Sequence, residues 1–363
     1  MKRALRLAEK GKGYVTPNPL VGCVICSRDE VPIGEGYHER YGQPHAEINA
    51  LNSVKDKSDL LDATVYVTLE PCSHHGKTPP CAHELAKYPI KRVVVAMTDP
   101  NPEVNGRGIA HLKAKGIRVE TGLLEEEARQ LNEVFIHNMH FGKPFIILKI
   151  AQTIDGYIAA PDGDSRWITG HKARKMVHQW RSEYDAVLIG RNTALLDNPG
   201  LTVRHVSGRQ PQRIVIDGPG SLPGELHLFS DIHEDKTIRV TYNPDLIDDN
   251  TDPALNMLQP DYFRGKSVHV SEIEGHSNLE QAIDKLGDLG ITSILVEAGS
   301  NLASTLVRED LVDKLHLFVA PRMLGGGTRS FLGLGIERMS DIIEFRSAGW
   351  TKAGDDMLFT GYF

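Results

Sequence analysis

Apolar residues along this chain gather in short runs, separated by stretches with helical spacing or by Gly- and Pro-rich turns. Met1–Lys12 predicts a helix, with Leu5 and Ala8 among its apolar positions, and Pro17 and Pro19 end any helix there. LVGCVIC (20–26), ATVYVTLEPC (63–72), RVVVAMTDPN (92–101) and GIRVETG (116–122) read as strands. HAEINALNS (45–53) and PPCAHELAKYPI (79–90) read as helices, the second opened by prolines, which suit a first helical turn. Near HFGKPFIILKI (140–150), Gly142 and Pro144 punctuate the chain and an apolar strand follows. Further strands are predicted at DAVLIG (185–190), RIVIDG (213–218), SILVEAG (293–299) and LHLFVAPRML (315–324). Strands alternating with helices predict an α/β chain of two domains, residues 1–144 and 145–363. The stretch 225–257 carries eight Asp+Glu and little periodicity, and is expected to be solvated surface.

Length and charge sharpen this picture. A chain of 363 residues is long for one domain. Residues 1–144 hold 19 Lys+Arg against 18 Asp+Glu, and the remainder 22 against 30. Neither part has the basic balance of a duplex-binding protein, so no nucleic-acid partner is expected. The N-terminus lacks the apolar core of a signal peptide, and no run is long enough to span a bilayer. Four cysteines in 363 residues do not make a disulfide framework. A reducing, cytoplasmic setting is expected, where paired cysteines more often bind metal.

The cysteines of PCSHHGKTPPC (71–81) lie downstream of His45-Ala46-Glu47. A catalytic zinc takes three protein ligands and keeps one position open for water. His45, Cys72 and Cys81 supply an imidazole and two thiolates. Glu47, two residues past the first ligand, is placed to move protons without binding the metal. H-x-E followed by P-C and a second Cys is the zinc-deaminase pattern, in which activated water attacks an amidine-like ring carbon. The usual spacing is P-C-x-x-C, and here eight residues intervene, bringing in His74, His75 and Lys77, a candidate for a substrate phosphate. A structural site of Cys23, Cys26, Cys72 and Cys81 is the bland alternative. Residues three apart on a strand point to opposite faces, which argues against it. Replacement of one ligand by His74 or His75 is a second alternative.

TPNPLVGCV (16–24), HAE (45–47) and PCSHHGKTPPC together resemble the bifunctional deaminase–reductase family of riboflavin biosynthesis, in which the long loop between the cysteines is the rule. The resemblance continues through KIAQTIDGYIA (149–159), SRWITG (165–170), NTALLDNPGLTVR (192–204) and VEAGSNLASTL (296–306), reaching to about residue 325. It implies an N-terminal cytidine-deaminase-like α/β/α layered domain and a C-terminal dihydrofolate-reductase-like α/β domain. The first would remove the exocyclic amine of a diamino-hydroxy-pyrimidine carrying a phosphoribosylamino group. The second would reduce the ribosyl group to ribityl with NADPH. Asn18, held between two prolines, would read a pyrimidine edge, or is a turn residue. Asp99 and Asn101, at a strand's C-terminal end, would contact ribose or phosphate, or equally form a turn.

In the second domain the resemblance implies charged reductase positions at Lys149, Asp197 and Glu297. Lys149 and Glu297 fall within strands, where a charge is costly unless partnered. Which of them relays the proton stays open. For Asp197 the alternative is a turn before Asn198-Pro199. Ser165, Arg181, Leu201, Arg204 and Glu297 match substrate-binding positions, with Arg181 and Arg204 as a phosphate clamp or else as surface arginines. Ala151, Trp167, Thr193 and Asp197 match cofactor contacts, although Trp167 also fits a core position. Gly299 and the residues after it, Ser300, Asn301, Leu302 and Ala303, read as a strand-to-helix turn that cradles a cofactor phosphate. The expected cofactors are Zn²⁺ and NADPH, and the resemblance suggests a homo-oligomer. The rival enzyme reading is a zinc deaminase of another pyrimidine or a nucleic acid, with a degenerate or differently specific reductase half. A non-enzymatic zinc scaffold is the other, and Glu47 argues against it.

Overall fold

A computed structural model of the chain describes residues 1–73, 79–102, 104–242, 265–270 and 277–363. It divides into two compact units, Met1–Gly142 and Lys143–Phe363. Among the described residues no helix is long and apolar enough to cross a membrane.

The first unit runs α1 (Lys2–Ala8), β1 (Gly22–Cys26), β2 (Pro32–Tyr37), α2 (Ala46–Ser53), β3 (Thr64–Leu69), α3 (Cys81–Leu85), β4 (Arg92–Met97), α4 (Arg107–Ala114), β5 (Arg118–Thr121), α5 (Glu125–Leu131) and α6 (Glu133–Phe141). Its five strands are ordered β2-β1-β3-β4-β5. β1 pairs antiparallel with β2 and β3, whereas β3, β4 and β5 run parallel. β4, RVVVAM, is apolar throughout after Arg92, which matches burial on both faces, and β3, TVYVTL, is buried at all but Tyr66. Cys23 and Ile25 pack with Ala46 and Ala50 on one face, while Val24 and Cys26 pack with Ala4 and Leu7 on the other. Cys23 and Cys26 are therefore core residues on opposite sides of the sheet.

β2, PIGEGY, has no apolar alternation, and its glycines explain why. A Cβ at Gly36 would lie 2.4 Å from the Ala50 nitrogen and 2.7 Å from the Ala46 oxygen. The backbone of α2 therefore rests directly on β2. This contact sets the position of the helix that His45 opens.

The second unit runs β6 (Phe145–Thr153), β7 (Tyr157–Ala159), α7 (His171–Glu183), β8 (Ala186–Gly190), α8 (Arg191–Asp197), β9 (Gln212–Ile216), α9 (His227–Ser230), β10 (Thr237–Thr241), β11 (Lys266–His269), α10 (Asn278–Asp288), β12 (Ser293–Glu297), α11 (Ser300–Arg308), β13 (Lys314–Ala320), β14 (Thr328–Arg329), β15 (Ser347–Ala353) and β16 (Asp356–Tyr362). A nine-stranded sheet has the order β11-β10-β9-β8-β12-β6-β13-β16-β15. It is parallel from β11 to β13, and the β15–β16 hairpin joins β13 antiparallel. The parallel strands bury Ile146, Leu148, Leu188, Ile214, Ile294 and Val296 in one core.

Solvated surface over 225–257 is not what the first part of that stretch forms. Leu228 and Phe229 are buried, and β10 lies inside the sheet between β9 and β11. Its acidic residues are partly structural: Asp231 accepts a 2.7 Å bond from Arg213, a guanidinium only 1% exposed. Residues 243–257 lie outside the described residues.

Candidate active sites

In the first unit, three elements bring the metal-ligand candidates together. His45 is the N-cap of α2, Cys72 follows β3, and Cys81 is the first residue of α3. The His45 Nδ1 lies 3.6 Å from the Cys72 Sγ and 3.4 Å from the Cys81 Sγ. A tetrahedral zinc with bonds of about 2.3 Å to sulfur and about 2.0 Å to nitrogen separates those atoms by about 3.5 Å. The donor set thus has the spacing that the ion requires. Among the described residues it is the one cluster of His, Cys, Asp or Glu side chains able to hold a metal.

The protonation pattern points the same way. The Cys72 thiol is pushed down to about 4 by its bond with Cys81 and by His45, while the bond with Cys72 and burial raise Cys81. The Cys81 amide also donates to the Cys72 Sγ at 3.3 Å. Metal binding requires deprotonated thiols and displaces their protons. Glu47 is 3% exposed. Burial, with the Cys72 charge adding to it, pushes Glu47 up to about 7. A carboxyl poised near neutrality both accepts and donates a proton.

Asn18 reaches this site through a residue that sequence reasoning missed. Its Nδ2 lies 3.1 Å from the His38 Nε2, and the His38 ring meets His45 edge-on at 5.3 Å between centroids. The His38 Nδ1 lies 3.3 Å from the Pro44 carbonyl, so His38 donates there and accepts from Asn18. Asp99 Oδ1 accepts from the Asn101 amide at 2.9 Å, which is the turn geometry weighed for this pair. Lys77, His74 and His75 lie outside the described residues.

In the second unit, Lys149 on β6 and Glu297 on β12 are partners in register, with Nζ 3.7 Å from Oε2. Arg181, from α7, grips the same carboxylate: Nε donates to Oε1 at 2.6 Å and Nη2 to Oε2 at 3.0 Å. Its Nη1 donates to the Thr202 carbonyl. Burial would raise Glu297, but Arg181 and Lys149 outweigh it and hold the carboxyl at about 2. Arg181 and Arg204, expected as a phosphate clamp, sit in different settings. The Arg181 guanidinium is committed to Glu297 and Thr202, and only Arg204 is exposed. His178, also missed, accepts the Arg204 amide at its Nδ1, 3.1 Å away. His178 and Arg181, three apart on α7, thus tether the segment bearing Leu201, which is 2% exposed, and Arg204.

The remaining positions surround that tether. Trp167 is 62% exposed, which excludes a core role, and Arg174 lies 4.5 Å from its ring centroid. Arg166 donates to the Asp197 carbonyl at 3.2 Å, tying the loop of half-buried Ser165 to the end of α8. Asp197 ends that helix, one residue before Asn198 at φ 40°. Ala151 is half-buried on β6. Gly299 caps α11, whose opening amides at Ser300, Asn301 and Leu302 have no acceptor within the helix. The nearest atom to a Cβ built at Gly299 is Thr193 Oγ1, at 3.7 Å. That helix start is therefore open on the side where a phosphate would approach. Ser300 and Ala303 are buried, and the Ser300 hydroxyl donates to the Arg329 carbonyl.

Comparison with known proteins gives the family. The model of the RibD C-terminal domain matches residues 144–359, and that of the cytidine and deoxycytidylate deaminase zinc-binding region matches residues 1–97. The riboflavin biosynthesis protein RibD of Actinobacillus pleuropneumoniae is 39% identical over 363 residues, covering 99% of this chain and 93% of that one. The chain belongs to the RibD family.

RibD of Escherichia coli K12 is also 39% identical, over 98% of this chain and 96% of its own. Acinetobacter baumannii RibD superposes with a TM-score of 0.84 at 34% identity, covering 99% of this chain and 97% of that one. A Thermotoga maritima protein superposes with a TM-score of 0.85 at 37% identity, over 100% and 97%. It is described as a diaminohydroxyphosphoribosylaminopyrimidine deaminase/5-amino-6-(5-phosphoribosylamino)uracil reductase. Like other RibD proteins, this chain is a bifunctional deaminase–reductase of riboflavin biosynthesis, with a zinc-binding deaminase domain. A deaminase with a degenerate reductase half is not favoured, because the similarity runs through both halves.

Proposed function

We propose that residues 1–144 deaminate 2,5-diamino-6-(5-phosphoribosylamino)pyrimidin-4-one, and that residues 145–363 then reduce the ribosyl group of the product to ribityl. The observation that carries the first step is the His45–Cys72–Cys81 spacing with Glu47 beside it. His45, Cys72 and Cys81 hold zinc, which when bound activates water for attack on the amidine-like ring carbon. Glu47 takes the water's proton at its carboxylate and delivers it to the departing amine. Asn18, fixed by His38, reads the pyrimidine edge, and Asp99 and Asn101 contact the ribose; Lys77, outside the described residues, is the candidate for the phosphate.

In the second step NADPH would be the hydride donor, its phosphates held at the Gly299–Ala303 turn by the opening amides of Ser300, Asn301 and Leu302. Ala151, Trp167, Thr193 and Asp197 line the cofactor. A carboxyl held at about 2 has no proton to give near neutrality, so Lys149 is the proton donor and Glu297 its fixed counter-ion. Arg204 and Ser165 take the substrate phosphate. Arg181 holds Glu297 and the Leu201–Arg204 segment in place.

The near-neutral first unit supports a small-molecule substrate, with no nucleic acid or membrane as partner. Family membership supports a homo-oligomer in the cytoplasm. Glu47→Gln is the direct test of the first step. Ammonia release should fall at least about 100-fold with zinc content unchanged, and undiminished release would overturn the role given to Glu47.

A further inference from the structure

Glu70, between the end of β3 and the ligand Cys72, is 3% exposed and carries no part of the chemistry above. Its carboxylate accepts four backbone amides, all from one distant segment. Oε2 takes those of Asp99 (3.3 Å) and Gly106 (2.9 Å), and Oε1 those of Gly108 (2.9 Å) and Ile109 (3.2 Å). A carboxylate bonded on both oxygens by backbone amides is held rigidly.

Two further contacts show what this rigidity controls. A Cβ at Gly108 would lie 1.9 Å from the Pro71 oxygen, so the start of α4 sits against the residue preceding Cys72. The His111 ring of α4 stacks on His83 of α3, at 3.9 Å between centroids, and α3 begins with Cys81. β3 and β4 are parallel neighbours, so Pro71–Cys72 and Asp99–Asn101 leave the same edge of the sheet, where α/β folds bind ligands. Glu70 is the link between those two loops.

We infer that Glu70 is a positioning residue for substrate binding in the deaminase domain. It holds the Asp99–Asn101 turn at a fixed height beside the metal-ligand loop. The inference rests on the deaminase reading and assigns this carboxylate a role in substrate recognition, acting through Asp99 and Asn101 without touching substrate.

The test uses the full-length, zinc-loaded protein. Glu70→Gln keeps the shape but turns one oxygen into a donor that faces amides. Ammonia release is measured against diaminopyrimidine concentration, together with zinc content and the thermal midpoint. The expected result is a rise in KM of about tenfold, with kcat and zinc content within about twofold of wild type. Glu70→Asp, which keeps the carboxylate, should fall between the two. An unchanged KM with a lowered thermal midpoint would overturn the inference, leaving Glu70 a helix cap only. Zinc lost in step with activity would overturn it too. If Glu70→Gln is insoluble, Glu70→Asp decides alone: a raised KM supports the inference and an unchanged KM contradicts it. Absence of ammonia release from wild type would instead sink the deaminase reading.

Discussion

Arg181 and Glu297 meet as a two-pronged ion pair, at 2.6 and 3.0 Å, with Lys149 3.7 Å away on the neighbouring strand. Two cations thus surround one carboxylate whose side chain is 13% exposed. Glu297→Gln would leave both without a counter-ion, at a cost of about 3–5 kcal/mol to folding. Reduction should fall at least about 100-fold, while ammonia release and zinc content persist. Chemical denaturation and NADPH oxidation check the two effects. Because the Glu297 pKa is depressed, to about 2, its stabilisation is complete above the ordinary carboxylate range. It is lost as pH falls from about 4 toward about 2. The variant's stability should therefore lose that acid dependence.

His178 predicts a second pH effect, with its own window. Burial, then the charges of Arg181, His205 and Arg204, push it down to about 4, against a smaller opposing pull from Glu297. Between about 6.5 and about 4 the unfolded chain binds a proton there that the folded chain does not. Stability should therefore fall as pH drops through that window. His178→Asn, which offers an oxygen where Nδ1 accepts the Arg204 amide, should flatten that part of the curve. A curve identical to wild type would contradict the assignment.

The glycines of β2 predict a defect far from the chemistry. Gly36→Val would drive side-chain atoms into the Ala46–Ala50 backbone, displacing α2 and with it His45 and Glu47. Overpacking of this kind costs about 1–3 kcal/mol. Ammonia release should drop and zinc should leave more readily on dialysis against a chelator. NADPH oxidation with the deaminated substrate should be unaffected, and equal losses in both activities would contradict this account.

What could be read from the sequence follows physical lines. His45, Glu47, Cys72 and Cys81 were legible because metal chemistry restricts residue type and their local spacing is distinctive. The two-unit α/β organisation was legible from buried parallel strands such as RVVVAM, whose apolar runs are continuous. β2 was not, because its helix-facing positions are glycines. The edge strand β15 was missed because all but one of its residues are exposed, leaving no apolar signal. The pairing of Arg181 with Glu297 was not legible, because the two lie 116 residues apart. Glu70 and His178 were missed for the same reason: they bind backbone amides, which no side-chain pattern announces. For 225–242, acidic composition suggested surface, whereas Asp231 is paired with buried Arg213 and β10 is interior.

The central claim is that one zinc, held by His45, Cys72 and Cys81, serves deamination alone. Zinc content, ammonia release and NADPH oxidation of pre-deaminated substrate should be measured together on wild type and Cys81→Ser. The account predicts that wild type binds zinc at one per chain, and that the variant loses it and releases no ammonia while still oxidising NADPH. Zinc retained by Cys81→Ser, or both activities lost together in a folded variant, would contradict it.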